Sequence, residues 1–333
     1  MSITTNDLAK LCGVSRTTVI RALNNTGRIS DSTKQKILQT AKEHGYKPDL
    51  LARSLARGRT NTIGVIVLDS NNRYFSQMIS AVSSIAEENG FGVSISLHTN
   101  DQQKEIEQLK RMAAYKVDGI ILSSINEGEE YKKFLDDFGI PVVSVDNRIA
   151  KDIPFVGISQ RKSMKAATAK VLAAGYKKIF FVCPPIKGNS NENIYVHRKR
   201  MEGFNQAIEE CDKHVEVKYL LDWGYLEQIE ALKITKDMAF VCVADEIALD
   251  IMMLLRPRGL TAGTDFGLHG FDAIDTLKYI TPELDTVDNN VELVAKEAMK
   301  LLIEMINTNS VDKRKRIIVP FNLVEGTTIK KTL

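Results

Sequence analysis

Residues 5–25 admit few folds. Apolar residues recur at helical spacing on both sides of Gly13. A glycine there tolerates the positive φ that a tight turn often requires. Two short helices are therefore expected. Thr5 caps the first, with Leu8 and Leu11 facing inward. Ser15 caps the second, with Val19, Ala22 and Leu23 inward. This leaves Arg16, Thr17 and Arg21 pointing outward near the start of the second helix, the layout of a helix-turn-helix whose second helix enters the major groove. Arginine suits that place because its fork can bond guanine O6 and N7 together. Ser15 and Asn24 are better placed for phosphates, which fix register without reading sequence. A third helix follows, capped by Ser30, with Ile37, Leu38 and Ala41 inward and Gly45 at its end; Tyr46 packs back on the bundle. Arg28 and Thr33 complete the candidate DNA contacts of this segment.

Charge agrees with that reading. Residues 1–60 carry eleven Lys and Arg against four Asp and Glu, a net +7. The remaining 34 basic and 38 acidic residues give −4. A basic head on a mildly acidic body is the footprint of nucleic-acid binding. The four cysteines, Cys12, Cys183, Cys211 and Cys242, have neither metal-ligand spacing nor the density of a disulfide framework, so reduced thiols in a cytoplasmic protein are expected. No apolar leader opens the chain and no run of about 20 apolar residues occurs, so a protein without a membrane span is expected.

The runs Asp7-Leu8-Ala9, Gly13-Val14-Ser15 and Thr18-Val19-Ile20-Arg21-Ala22-Leu23-Asn24 resemble the lactose-repressor (LacI/GalR) family of bacterial transcription regulators. So do Gly45-Tyr46-Lys47-Pro48 and Ala52-Arg53-Ser54-Leu55-Ala56. The resemblance covers essentially the whole chain. Ile20 departs from it, because the family usually has Ser there; an apolar group replaces a phosphate-contacting hydroxyl and could touch a thymine methyl. Pro48 ends the third helix and Asp49 can cap a short helix through Ala56, which is marginal alone because nucleation is costly. The resemblance implies that residues 48–60 form a hinge, that Ala52 and Leu55 touch DNA, and that Leu55 wedges into the minor groove across a homodimer.

Beyond residue 61, strands and helices alternate in the rhythm of doubly wound parallel sheets. Strands are expected over 62–68, 92–97, 119–122, 141–145, 179–182, 217–220, 239–243 and 266–270, with the last strands over 317–324. Helices are expected over 74–89, 102–114 and 131–138. The fold class is thus an N-terminal all-α helix-turn-helix head (1–47), a hinge (48–60) and an α/β body of two doubly wound parallel-sheet lobes (61–333). The resemblance implies a periplasmic-binding-protein-like body whose chain crosses between lobes near 159, 288 and 318. Lobe 1 would then hold 61–158 and 289–317, and lobe 2 would hold 159–288 and 318–329.

Ligands of open α/β sheets sit at the carboxyl ends of the strands. Acidic, amide and aromatic residues gather there: Asn72, Tyr74 and Phe75; Asp146 and Asn147; Asp245; Asp272. Carboxylates and amides suit hydroxyls, and aromatic faces suit a pyranose ring, which favours a sugar or polyol. The resemblance adds Arg200, Trp223 and Asn289 to the effector set. It also marks two departures: Arg73 where the family usually has Pro, and Ala244-Asp245 where Asn-Asp is usual. No phosphate-cradling loop, G-x-S-x-G, H-E-x-x-H or cysteine cluster is present, and His44, His98, His197, His214 and His269 are scattered. Neither an enzyme, a metal nor a cofactor is expected.

The expectation is a ligand-controlled repressor on a palindromic double-stranded operator. A homodimer is expected, because only a few residues follow the last strand, with no heptad segment for a tetramerisation helix. A sugar, sugar phosphate or polyol is the favoured effector, with a purine or a protein co-effector as alternatives. A cytoplasmic sugar-binding protein or a sugar-acting α/β enzyme is the competing class.

Overall fold

A computed structural model describes residues 3–47, 58–186, 192–308 and 314–330. The chain divides into two compact units, Met1–Thr60 and Asn61–Leu333.

The first unit contains α1 (Thr5–Cys12), α2 (Arg16–Asn24) and α3 (Asp31–Glu43). Thr4, and not Thr5, caps α1. Its hydroxyl accepts from the Asp7 backbone N–H at 3.3 Å, and the Asp7 carboxylate accepts from the Thr4 N–H at 3.0 Å. This reciprocal box satisfies two helix-end donors at once. Leu8, Ala9 and Cys12 are buried, whereas Leu11, expected inside, is 52% exposed. In α3, Ile37 and Ala41 are buried while Leu38, also expected inside, is exposed. A small bundle has room at its centre for one side chain per helix turn, and Leu8, Val19 and Ile37 take it, ringed by Val14, Leu23, Ile29 and Tyr46. Ser15 and Ser30 cap α2 and α3 as expected, and Gly13 has φ +67° at the turn.

The second unit opens with β1 (Thr62–Val67), α4 (Arg73–Glu88), β2 (Gly92–Leu97), α5 (Gln102–Ala114), β3 (Gly119–Leu122), α6 (Glu129–Asp137) and β4 (Val142–Val145). It continues with β5 (Phe155–Ile158), α7 (Gln160–Ala173), β6 (Lys178–Val182), α8 (Tyr195–Glu209), β7 (Glu216–Leu220), α9 (Tyr225–Glu230), β8 (Met238–Cys242), α10 (Asp245–Leu255) and β9 (Gly267–His269). The last elements are β10 (Thr286–Asp288), α11 (Val291–Thr308), β11 (Arg316–Val319) and β12 (Asn322–Val324).

Two parallel sheets result. The first has the order β11-β5-β4-β3-β1-β2, and the second β7-β6-β8-β9; β10 and β12 form a separate antiparallel pair. β5 is a four-residue buried strand that pattern reading passed over. β11 pairs with β5 through Val319 opposite Ile158, so the first sheet's pairing runs to residue 319. Gly267 lets the Tyr176 ring lie against the second sheet, since a Cβ there would stand 2.5 Å from a ring carbon. β1, β3 and β4 end at one edge of the first sheet and β6, β8 and β9 at the matching edge of the second. Loops from the two sets of strand ends meet, Asn72 bonding Glu246 and Asn147 bonding Val196, and the space between them is the candidate cleft.

Candidate functional site

Two surfaces carry the chemistry, one on each unit. On the first, Arg16, Thr17, Ile20 and Arg21 are exposed along one face of α2, with Arg28 exposed in the loop that follows. The Ser15 hydroxyl accepts from Thr18 N–H at 3.1 Å, which fixes the start of that helix. Arg16 Nε donates to the Thr5 hydroxyl at 3.3 Å, leaving its remaining donors outward. Asn24 is the last residue of α2 and half-buried. The Thr33 hydroxyl is engaged with Ser30 Oγ at 2.7 Å. Ala52 and Leu55 lie outside the described residues.

On the second unit, Tyr74, Asp146, Arg200, Asp272 and Asn289 come together from five separate stretches of chain. The Tyr74 hydroxyl donates to Asp146 Oδ1. Arg200 Nη2 approaches Asp272 Oδ1 at 3.4 Å, Asn289 Nδ2 donates to the same oxygen at 3.0 Å, and the Arg200 guanidinium lies 3.5 Å over the Phe271 ring. Gln160 Oε1 accepts from Arg200 Nε at 2.8 Å and the Val243 carbonyl from Nη1, so the arginine is clamped by the second lobe. Asp146 and Asp272 hold positive φ, +57° and +114°. Such backbone costs of order 1–3 kcal/mol and persists where the surroundings over-determine it, commonly at functional sites. Tyr74, Asp146, Arg200 and Asn289 are each under a tenth exposed.

Burial sets the electrostatics. Loss of water pushes Asp146 up to about 6 against the pull of Tyr74 and Arg200. It drives Asp272 well above the usual carboxylate range, with Asp245 and Asp146 adding to the push and Arg200 opposing it. His197, buried beside Arg200, is pushed down to about 4 and is neutral at pH 7. Two buried oxygens are left without a hydrogen bond, Asp146 Oδ2 and Asn289 Oδ1. Both are acceptors, and a buried acceptor without a donor is costly.

The other expected contacts fall differently. Asp245 is engaged with the scaffold. It is fully buried, its Oδ1 accepting from Thr286 Oγ1 at 2.5 Å and its Oδ2 from Ile274 N–H at 3.0 Å. Both oxygens help to hold the turn that presents Asp272. Asn72 and Asn147 bridge the lobes rather than line the floor. Asn72 Nδ2 donates to Glu246 at 3.2 Å, and Asn147 Oδ1 accepts from Val196 N–H at 3.1 Å. Phe75 packs edge-on to Tyr74 at 5.2 Å between centroids. Trp223 stands 70% exposed beyond β7, the edge strand, and shares no hydrogen bond or ring contact with the cluster among the described residues. Gln160 was missed by sequence reading because it follows the unread β5; a strand assigned there would have placed it at a strand end.

Among the described residues, no cluster of three or more His, Cys, Asp or Glu could hold a metal ion, and no helix is long and apolar enough to cross a membrane. A helix-turn-helix with basic residues outward, on the same chain as a two-lobed body whose cleft holds unsatisfied acceptors, defines a DNA-binding regulator with a ligand-binding body.

Comparison with known proteins places that class. Residues 4–49 match the bacterial regulatory proteins of the lacI family, and residues 60–327 match the periplasmic binding proteins and sugar binding domain of the LacI family. The chain belongs to the lacI family. It is 30% identical to catabolite control protein A of Priestia megaterium over 94% of this chain and 95% of that protein. It is 29% identical to the HTH-type transcriptional repressor PurR of Vibrio vulnificus (strain CMCP6), over 98% and 99%. The lac repressor dimer bound to operator and the anti-inducer ONPF shares the fold with a TM-score of 0.84 at 21% identity, over 99% of this chain and 100% of that one.

Proposed function

We propose that this protein is a homodimeric transcriptional repressor of a palindromic operator, released or engaged by a neutral, hydroxyl-rich effector, a sugar or polyol, held between the lobes. Asp146 Oδ2 and Asn289 Oδ1 carry the effector reading: each is buried without a hydrogen bond, and the O–H groups of a ligand would satisfy them. Against a phosphate or carboxylate, the cleft sets the buried carboxyls Asp146 and Asp272, with Arg200 already held by Gln160, Val243 and Asp272. Tyr74, Asp146, Arg200, Asp272 and Asn289 form the floor. On the DNA side, Arg16, Thr17 and Arg21 face base edges, Ser15, Asn24, Arg28 and Thr33 lie near the backbone, and Ala52 and Leu55 belong to the hinge. The lac repressor of similar fold is a dimer bound to operator, which supports the same assembly here. Effector and operator affinity are then coupled by a free energy of about 1–3 kcal/mol, reciprocal in sign and size.

A thermal-shift series tests the effector class, with neutral sugars, polyols, sugar phosphates and purines each at millimolar concentration. A ligand that binds only the folded state raises the melting temperature by mass action. The expected result is a rise with one neutral sugar or polyol that vanishes in Asn289→Ala. A response confined to purines, the alternative to which the similarity to PurR proteins points, overturns the sugar reading while leaving the repressor reading standing.

A further inference from the structure

Arg73 stands where a proline is usual in the resembled family, and the structure gives it a partner across the cleft. Its Nε donates to Asp275 Oδ1 at 3.0 Å and its Nη2 to Oδ2 at 2.5 Å, a two-point fork. Arg73 begins α4 in the first lobe; Asp275 follows β9 in the second. Three more bonds cross at the same flank. Glu246 Oε1 accepts from Arg73 N–H and Glu246 Oε2 from Asn72 Nδ2, both at 3.2 Å, and Gln77 Oε1 accepts from Asp275 N–H at 3.2 Å. Isolated exposed ion pairs contribute little, but a two-point arginine fork inside a network is the exception. The opposite flank is also tied. Asn193 N–H donates to the Ile125 carbonyl at 2.8 Å, Asn193 Nδ2 to the Arg148 carbonyl at 2.9 Å, and Val196 N–H to Asn147.

We propose that Arg73 and Asp275, backed by Glu246, form a strap that holds the two lobes shut before any effector arrives, and that this pair is a determinant of effector affinity lying outside the cleft floor. Apparent affinity scales with the fraction of protein already in the competent state. A built-in strap therefore tightens binding by the same factor by which it populates the closed form, and makes entry wait for its release. The inference needs no knowledge of which effector binds, so it stands or falls apart from the sugar assignment.

Hydrogen exchange of the full-length, ligand-free protein tests it, read on the far flank over residues 192–200. The series is wild type, Arg73→Gln, Asp275→Asn and the double variant, with protection of β1 and β6 confirming that each is folded. Each single variant is expected to raise exchange on the far flank three- to tenfold, and the double variant no further than either single one. Adding 0.5 M NaCl should speed wild type but not the double variant, because the pair is about two-fifths exposed and open to screening. Unchanged far-flank exchange in the variants overturns the strap, as does a double variant whose effect is the product of the singles. Wild-type far-flank amides exchanging as fast as unprotected ones would show open lobes and overturn it as well.

Discussion

The DNA-reading face and the effector cleft solve opposite problems. On α2 the side chains proposed to read DNA, Arg16, Thr17 and Arg21, are exposed, while Val19 and Ala22 are buried and Ser15 caps the helix. In the body the side chains proposed to meet effector are themselves buried, two of them on positive-φ backbone, and they rest on one another. A reading face can be altered without unfolding its scaffold. A cleft of this kind is part of the scaffold, so its residues carry both ligand recognition and stability.

Arg200→Ala gives the largest contrast. It removes the partner of a buried carboxyl, Asp272, and uncovers Phe271. Breaking one side of a buried pair typically costs about 3–5 kcal/mol. Urea unfolding followed by circular dichroism should show the body transition weakened by that order, with the effector response gone. A loss below about 1 kcal/mol would show that the cleft is not over-determined and would erase the contrast with α2.

The same difference explains what could be read from the sequence. Arg16, Thr17 and Arg21 lie within six residues of one another on a helix whose period is visible, so face and role follow from spacing. The errors there were of one residue or one side chain, Thr4 for Thr5 as cap and Leu11 and Leu38 outside instead of inside, because neighbouring apolar positions compete for one small interior. In the cleft, strand-end logic found Tyr74, Asp146 and Asp272, since each follows a strand that announces itself. It could not foresee that Asp245, which also follows a strand of the second sheet, is held by Thr286 and Ile274, because those contacts are tertiary. Gln160, Glu246 and Asp275 act through partners 40 or more residues away, and no local pattern encodes such a pairing.

Asp146 and Asp245 sharpen the comparison within the cleft. Burial raises both to about 6, above the 3.8 of a free carboxyl. Between those values the folded state holds more protons than the unfolded one, so this contribution to stability is full below about pH 4 and is lost as pH rises through about 6. The buried histidines His197 and His269, pushed down to about 4, act in the opposite direction over pH 5 to 7.5, so the carboxyl contribution is read from wild type against variant at each pH. Asp146→Asn removes the cost of a buried charge and keeps an acceptor for Tyr74. It should stabilise the body by about 1–3 kcal/mol at pH 7.5, flatten the pH profile and abolish effector binding, a trade of stability against function. Asp245→Asn should do the reverse. Its amide N–H would face the Thr286 or Ile274 donor, a loss of about 1–3 kcal/mol at either pH. Equal behaviour of the two variants in calorimetry would mean that both carboxyls are struts or both are ligand contacts.

Ser15 gives the smallest effect and separates two roles that coincide on the reading face. Its hydroxyl caps α2, and it is also proposed to meet a phosphate. Ser15→Ala should destabilise the first unit by about 1 kcal/mol through the lost cap and weaken DNA binding as well, so by itself it does not tell the roles apart. Ser15→Asp does. Aspartate is as good a cap and favours the positive end of the helix, so the head should keep its wild-type melting temperature. Its charge would repel the DNA backbone, weakening binding by a similar factor on operator and on unrelated duplex, since phosphate contacts carry no sequence information. Paired titrations of both duplexes at one fixed salt concentration check this. A fall on operator alone would place Ser15 at a base edge; full recovery of binding together with stability would leave it a cap only, and the reading face would then begin at Arg16.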